Sequence, residues 1–172
     1  VEGARARIFD NSQIGLDLYG AGGTLVSGNT GGAWIAAGSL TGGRITANAG
    51  HGVMASSSRV EGVEISDNVA TGMSDTWSGI WMIGGDLIDS VVTGNSGAIG
   101  GAVLLAGSAT ISDCVISGNQ GDQGGGISAA NAGNVRIERT VIEDNEATRG
   151  GGLDLASTQL ELVDSTVRRN SA

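Results

Sequence analysis

The sequence predicts an all-β fold, a parallel β-solenoid formed by one domain over residues 1–172, with about seven coils of three short strands each. Three observations predict it. The motif β-branched-x-x-Asn recurs eight times along the chain. Between the repeats run glycine-rich turns and strands of period 2, with almost nothing of helical period. The arginines and carboxylates, which played no part in setting that register, fall opposite one another when adjacent units are aligned.

The repeats end at Asn11, Asn29, Asn48, Asn68, Asn95, Asn119, Asn145 and Asn170, at spacings of 18, 19, 20, 27, 24, 26 and 25 residues. Three residues before each lies Ile8, Val26, Ile45, Ile65, Val92, Ile116, Ile142 or Val167, and often five residues earlier a second apolar residue, as in Leu40, Val60, Leu87, Ile111, Ile137 and Leu162. After each asparagine comes a glycine-rich turn and then a first strand, such as Gly52-Val53-Met54 or Gly79-Ile80-Trp81-Met82. One such unit cannot bury its apolar face alone, whereas stacked units make a continuous core. The asparagines are then expected to form an internal ladder at one corner. The glycines are expected at tight corners that require positive φ.

Composition agrees and narrows the function. Glycine supplies 32 of 172 residues and proline none, which excludes collagen and proline-rich linkers; 40% apolar against 16% charged residues indicates a packed chain. Nine arginines, no lysine and 18 carboxylates give a net charge of −9, the wrong sign for a nucleic-acid partner. No apolar run reaches the roughly 20 residues of a membrane span. The lone Cys114 excludes an internal disulfide framework. The chain begins at Val1 inside a coil and stops at Ala172 where another turn is due. The expectation is a segment of a longer solenoid, continued covalently, or a subunit that stacks end to end through its open coil edges.

The charge check uses six arginines. Alignment places Arg168 and Arg169 beside Glu143 and Asp144, Arg136 beside Glu161, Arg59 beside Asp86, Arg44 beside Glu64, and Arg139 between Asp113 and Asp164. Such solvated rungs contribute a few tenths of a kcal/mol each.

Gly31-Gly32-Ala33-Trp34 and Gly100-Gly101-Ala102-Val103, with Val115-Ile116-Ser117-Gly118-Asn119, resemble the paired GGA(I/L/V) and FxxN repeats of polymorphic outer-membrane proteins. More broadly they resemble the right-handed parallel β-helix repeats of pectate-lyase-like and autotransporter passenger domains. The aromatic of FxxN is Ile or Val in every coil here, and three coils carry Gly-Gly-Gly or Gly-His-Gly in place of GGA. The resemblance therefore implies the wider superfamily, a right-handed β-helix and a secreted or surface-exposed bacterial setting, as in adhesin stalks, passengers or polysaccharide-processing scaffolds. A left-handed helix of 18-residue coils is the alternative for the first three units.

Relatives that cleave pectate carry carboxylates, calcium and a basic residue on the outer side of the first sheet. The expected outward column here is Asp17, Ile35, Met54, Trp81, Leu104, Ser128 and Asp154. Its two carboxylates stand six coils apart, about 29 Å, against the roughly 5–9.5 Å of a glycosidase pair. His51 is the only histidine, Cys114 shares a column with Ser90, Thr140 and Ser165, and no calcium-binding nonapeptide is present. No catalytic residue, metal or cofactor is assigned, and a carbohydrate-active fragment of lyase or epimerase type is the runner-up.

The stripe Ile35, Met54, Trp81 and Leu104 is apolar where water is expected, and beside it the turn from Asn68 to Ile80 takes 12 residues, against 5 in earlier turns and 8 in later ones. Its insertion, Val69 to Gly79, carries Met73, Asp75 and Trp77. In one reading Met73 and Trp77 fold back over the stripe as a private small core. In the other, Trp77 and Trp81 form a platform for a glycan or protein partner, with Asp75 and Asp86 as rim acceptors.

Overall fold

The computed structural model describes residues 6–9, 14–18, 21–29, 31–70 and 77–172. Eighteen strands follow in order: β1 (Ala6–Phe9), β2 (Ile14–Leu18), β3 (Ala21–Ser27), β4 (Gly31–Ala36), β5 (Ser39–Thr46), β6 (Val53–Glu61), β7 (Glu64–Ser66), β8 (Ile80–Ile88), β9 (Val91–Thr93), β10 (Val103–Leu105), β11 (Ala109–Ser112), β12 (Val115–Ser117), β13 (Gln120–Gln123), β14 (Ile127–Glu138), β15 (Val141–Glu143), β16 (Glu146–Arg149), β17 (Leu153–Val163) and β18 (Thr166–Arg168). No helix is long and apolar enough to cross a membrane among the described residues.

Every strand pairs in parallel with its equivalents one unit away, which is the solenoid that the repeats require. The column leading to the asparagines contains eight strands, β1, the end of β3, the end of β5, β7, β9, β12, β15 and β18. The first column contains β2, β4, the beginnings of β6, β8, β14 and β17, and β10. Long strands span two columns by bending, as β8 does at Gly84 and Gly85, whose φ values are 73° and 107°.

The inward positions read from the sequence form the core. Ile45, Ile65, Val92, Ile116 and Ile142 stack in the third column, and Leu40, Val60, Leu87, Ile111 and Ile137 in the second, all fully buried. Each such side chain contributes about 1.5–3 kcal/mol by leaving water. Leu162 and Val167 hold the equivalent places in the last described rung and are half exposed.

The asparagine ladder runs unbroken from Asn29 to Asn170; Asn11 lies outside the described residues. Asn95 shows the pattern: its Nδ2 donates to Asn119 Oδ1 at 3.0 Å and to the Ile65 carbonyl at 3.0 Å, while its Oδ1 accepts from Asn68 Nδ2 at 2.9 Å and the Asn68 backbone N–H at 3.1 Å. An amide carries separate donor and acceptor groups, so it donates to the rung on one side while it accepts from the rung on the other. A second ladder stands at the corner before the third column. There the Ser90, Thr140 and Ser165 hydroxyls accept the Val63, Cys114 and Thr140 backbone N–H groups and donate to carbonyls two residues back. Cys114 takes the same place with its thiol on the Ser112 carbonyl.

Many glycines hold positive-φ corners as expected, among them Gly28, Gly62, Gly94, Gly118, Gly124 and Gly150, and others serve a second purpose. Gly32, Gly52, Gly79, Gly101, Gly125 and Gly151, after the asparagines, do not have positive φ; a Cβ on any of them would collide with backbone of the next rung. They are there for close approach. The positive-φ corners fall one residue before the asparagine and at the end of the second column, and are held as readily by Asp67, Asp89, Asp113, Arg139, Asp144, Asp164 and Arg169 as by Gly28, Gly62, Gly94 and Gly118.

Five of the aligned ion pairs form, Arg44–Glu64 at 2.8 Å, Arg136–Glu161 at 2.6 Å, Arg139–Asp113 at 2.7 Å, Arg168–Glu143 at 2.7 Å and Arg169–Asp144 at 2.8 Å. Arg59 does stand opposite Asp86, yet its guanidinium bonds Glu61 on its own strand at 3.0 Å. The second partner of Arg139 is Glu138 rather than Asp164.

Two predictions follow from the ladders and the glycines. Asn95→Ala strands two buried donors on Asn68 and is expected to cost about 2–4 kcal/mol in urea unfolding, whereas Asn170→Ala, at the half-buried end, costs less than about 1.5 kcal/mol. Gly125→Ala has no room against the Glu146 carbonyl and is expected to cost more than about 2 kcal/mol; Gly42→Ala, at φ 66° with open space, costs only the backbone strain of about 1 kcal/mol. Equal losses within either pair would contradict these assignments.

Candidate functional site

The first sheet turns alternate residues outward, and the pairing shows which. Asp17 lies opposite Trp34, Trp34 opposite Met54, Met54 opposite Trp81, Trp81 opposite Leu104, Leu104 opposite Ser128, and Ser128 opposite Asp154. This corrects the expected column at one place. Ile35 is fully buried in the core, and Trp34, 39% exposed, takes the outward position. The turn after Asn29 is one residue shorter than those after Asn11 and Asn48, since Leu16, Ala33 and Val53 share a column. A shift of one residue sends a strand's side chains to the opposite face.

Met54, Trp81 and Leu104 are partly exposed, so the apolar stripe exists with Trp34 as its most open member. Two residues along each strand lies a second outward column, Ala36, Ser56, Ile83, Ala106, Ala130 and Ala156, small apart from Ile83 and without charge. The only charge in these two columns that the described side chains show is Asp154, which Arg149 holds at 2.8 Å while also donating to Gln123 Oε1 at 3.0 Å.

Insertion Val69 to Gly79 meets this face through Trp77. Gly100, Gly124 and Gly150 each stand four residues before an outward residue, and a Cβ on them would meet Leu104, Ser128 and Asp154. Trp77 stands at the same offset from Trp81 and bridges to Gly100. Where neighbouring coils use glycine, this coil places an indole. Trp77 is only 9% exposed, stacks on the His51 imidazole at 3.9 Å with ring planes 9° apart, and lies 4.5 Å from the Trp81 ring at 60°. His51 Nδ1 is 3.2 Å from the Trp77 carbonyl oxygen, which can only accept, so the proton is on Nδ1. The buried Nε1 groups of Trp77 and Trp81 have no hydrogen-bond partner.

The structure thus joins Trp77, Trp81, Met54 and Leu104 and adds Trp34 and His51. Trp77 is packed beneath the surface, so it covers part of the stripe instead of offering a face to a ligand. Asp86 lies beyond the Gly84–Gly85 bend on the second sheet, opposite Arg59 and Thr110, and is no part of the rim of the stripe. Met73 and Asp75 lie outside the described residues. The stacking of His51 had no local signal in sequence, because it joins residues 26 apart across a turn of unusual length.

Among the described residues no group of three or more His, Cys, Asp or Glu side chains comes together as a metal site. Cys114 is buried, and desolvation pushes its thiol up to about 11, the opposite of an activated nucleophile. A water-soluble thiol reagent at pH 8 is expected to leave native Cys114 unmodified and to label it on unfolding. Rapid labelling of the native protein would show an open corner at that rung.

Comparison with curated proteins and with solved structures returns no match. A family profile described as "Right handed beta helix region" matches residues 7–172, essentially the whole chain. Repeats, parallel register and asparagine ladder agree with it, and the chain belongs to the right-handed β-helix family.

Proposed function

We propose that this chain is a non-enzymatic structural segment of a bacterial cell-surface or extracellular protein or fibre, and that the outer face of its first sheet binds a glycan or protein. The observation that carries the reading is the column Trp34, Met54, Trp81 and Leu104. It is apolar, partly open to water and carries two indoles, whereas the exposed Val91 and Val115 of the third sheet form a smaller apolar pair in the column that also holds the Arg44–Glu64 ion pair. A core sealed by amide and hydroxyl ladders needs no such face for stability, and an exposed apolar patch on a soluble protein marks a contact.

Aromatic side chains suit both kinds of partner, since an indole offers a flat apolar face for a sugar ring or a side chain. The loop through Trp77 limits the contact to Trp34, Met54, Leu104 and the open edge of Trp81. Trp34→Ala and Trp81→Ala are each expected to weaken binding to a responsive glycan or protein about tenfold, or about 1.4 kcal/mol, with the melting transition retained. Unchanged binding in both variants would remove the stripe from the function. Unsaturated products from acidic polysaccharides incubated with the protein and calcium would replace the structural reading with a lyase.

A further inference from the structure

We propose that the outer face of the first sheet is a self-association surface, on which two copies pack side by side with their helix axes parallel. This rests on reading the stripe as a contact face, and names a second copy of the chain as its partner.

Two observations favour that partner, and a third sets how strong the association is. The first is shape. The face has a large column, Trp34, Met54, Trp81 and Leu104, and beside it a small one, Ala36, Ser56, Ile83 and Ala106. The two columns are about 6.6 Å apart, two residues along the strand. A two-fold axis parallel to the helix axis places the large column of one copy over the small column of the other, rung for rung. Trp34 then faces Ala36 of the other copy, Met54 faces Ser56, and Leu104 faces Ala106. Only the rung of Trp81 and Ile83 is crowded, and Trp77 already covers Trp81. A two-fold axis along the strands would set large on large, and fails.

The second observation is charge. At −9 the chain repels its own copy over most of its surface. The two columns place no described charge in the contact except Asp154, which is already paired with Arg149. A basic partner would seek the carboxylates, whereas this face rewards an uncharged flat surface like itself. The pairing is isologous, so it closes at two copies.

The third is area. Two columns over six rungs cover roughly 400 Å² per copy, or about 800 Å² in total, below the ~1,200–2,000 Å² of stable complexes. The association is therefore weak and depends on concentration. Screening of the mutual repulsion strengthens it as salt rises.

Sedimentation equilibrium from micromolar to millimolar protein, at low and high salt, tests this. A monomer–dimer equilibrium that tightens with salt is expected. Trp34→Glu and Ala106→Glu, both at exposed positions, should abolish it with circular dichroism and melting retained, and Val167→Glu on the exposed last rung should leave it intact. A monomer under all conditions overturns the proposal, as does association lost in Val167→Glu but kept in Trp34→Glu, which would mean stacking through the coil ends. Monomers whose Trp81→Ala variant loses glycan binding would overturn the second copy as partner and leave the stripe as a recognition face.

Discussion

Each rung of this molecule hydrogen-bonds the next, so every side chain must fit against its own equivalents about 4.8 Å above and below. That repeat governs what each column tolerates. Inside, Ile, Leu and Val stack on their own kind without penalty. A charge in an inward column would stack on a neighbour it repels or on one that cannot solvate it. An amide stacks on an amide and satisfies it, which explains buried asparagines at 0–1% exposure. The hydroxyl column through Ser90, Thr140 and Ser165 meets the same demand with a smaller group. It donates along its own chain and accepts across the rung.

Much of this is legible in sequence because the constraint repeats. The asparagines, the inward residues three and eight positions before them, and the opposed charges all follow from one register. What the register does not reveal is its own local slips. The turn after Asn29 consists of glycines and a threonine, with no apolar residue to mark phase, so nothing in it betrays that it is one residue shorter and that Trp34, not Ile35, faces out. The glycines were readable as positive-φ corners, but not those that are there for close approach. Their crowding by the next rung is a contact between residues about 20 or more apart, invisible to any local rule of turn chemistry.

The Trp77 site was legible only as an anomaly of length. A longer loop costs little entropy to close, since each doubling adds about 0.6 kcal/mol, so an insertion between stacked rungs is tolerated wherever its ends can rejoin the register. Here they do: Val69 pairs with Ser96 at the start of the insertion, and Trp77 with Gly100 near its end. The geometry of the ends is thus dictated by the solenoid, while the residues between them are free to vary. That freedom is where a sequence can acquire something the fold does not require.

What the insertion brings back to the solenoid is a buried indole at a position the coils after it fill with glycine. Its stacking on His51 gives the packing a large apolar area, but it leaves two indole N–H groups buried without acceptors, each a cost of about 1–3 kcal/mol. A solenoid satisfied at every corner by amides and hydroxyls has no structural need for that arrangement. The cost falls on one coil of the apolar stripe, within contact of Trp81. The register does not require an indole at residue 77, since Gly100, Gly124 and Gly150 stand at the same offset in the coils that follow. The tryptophan is better explained by what it does to the face above it, restricting the open stripe to the Trp34 side and setting the limit of whatever surface packs there.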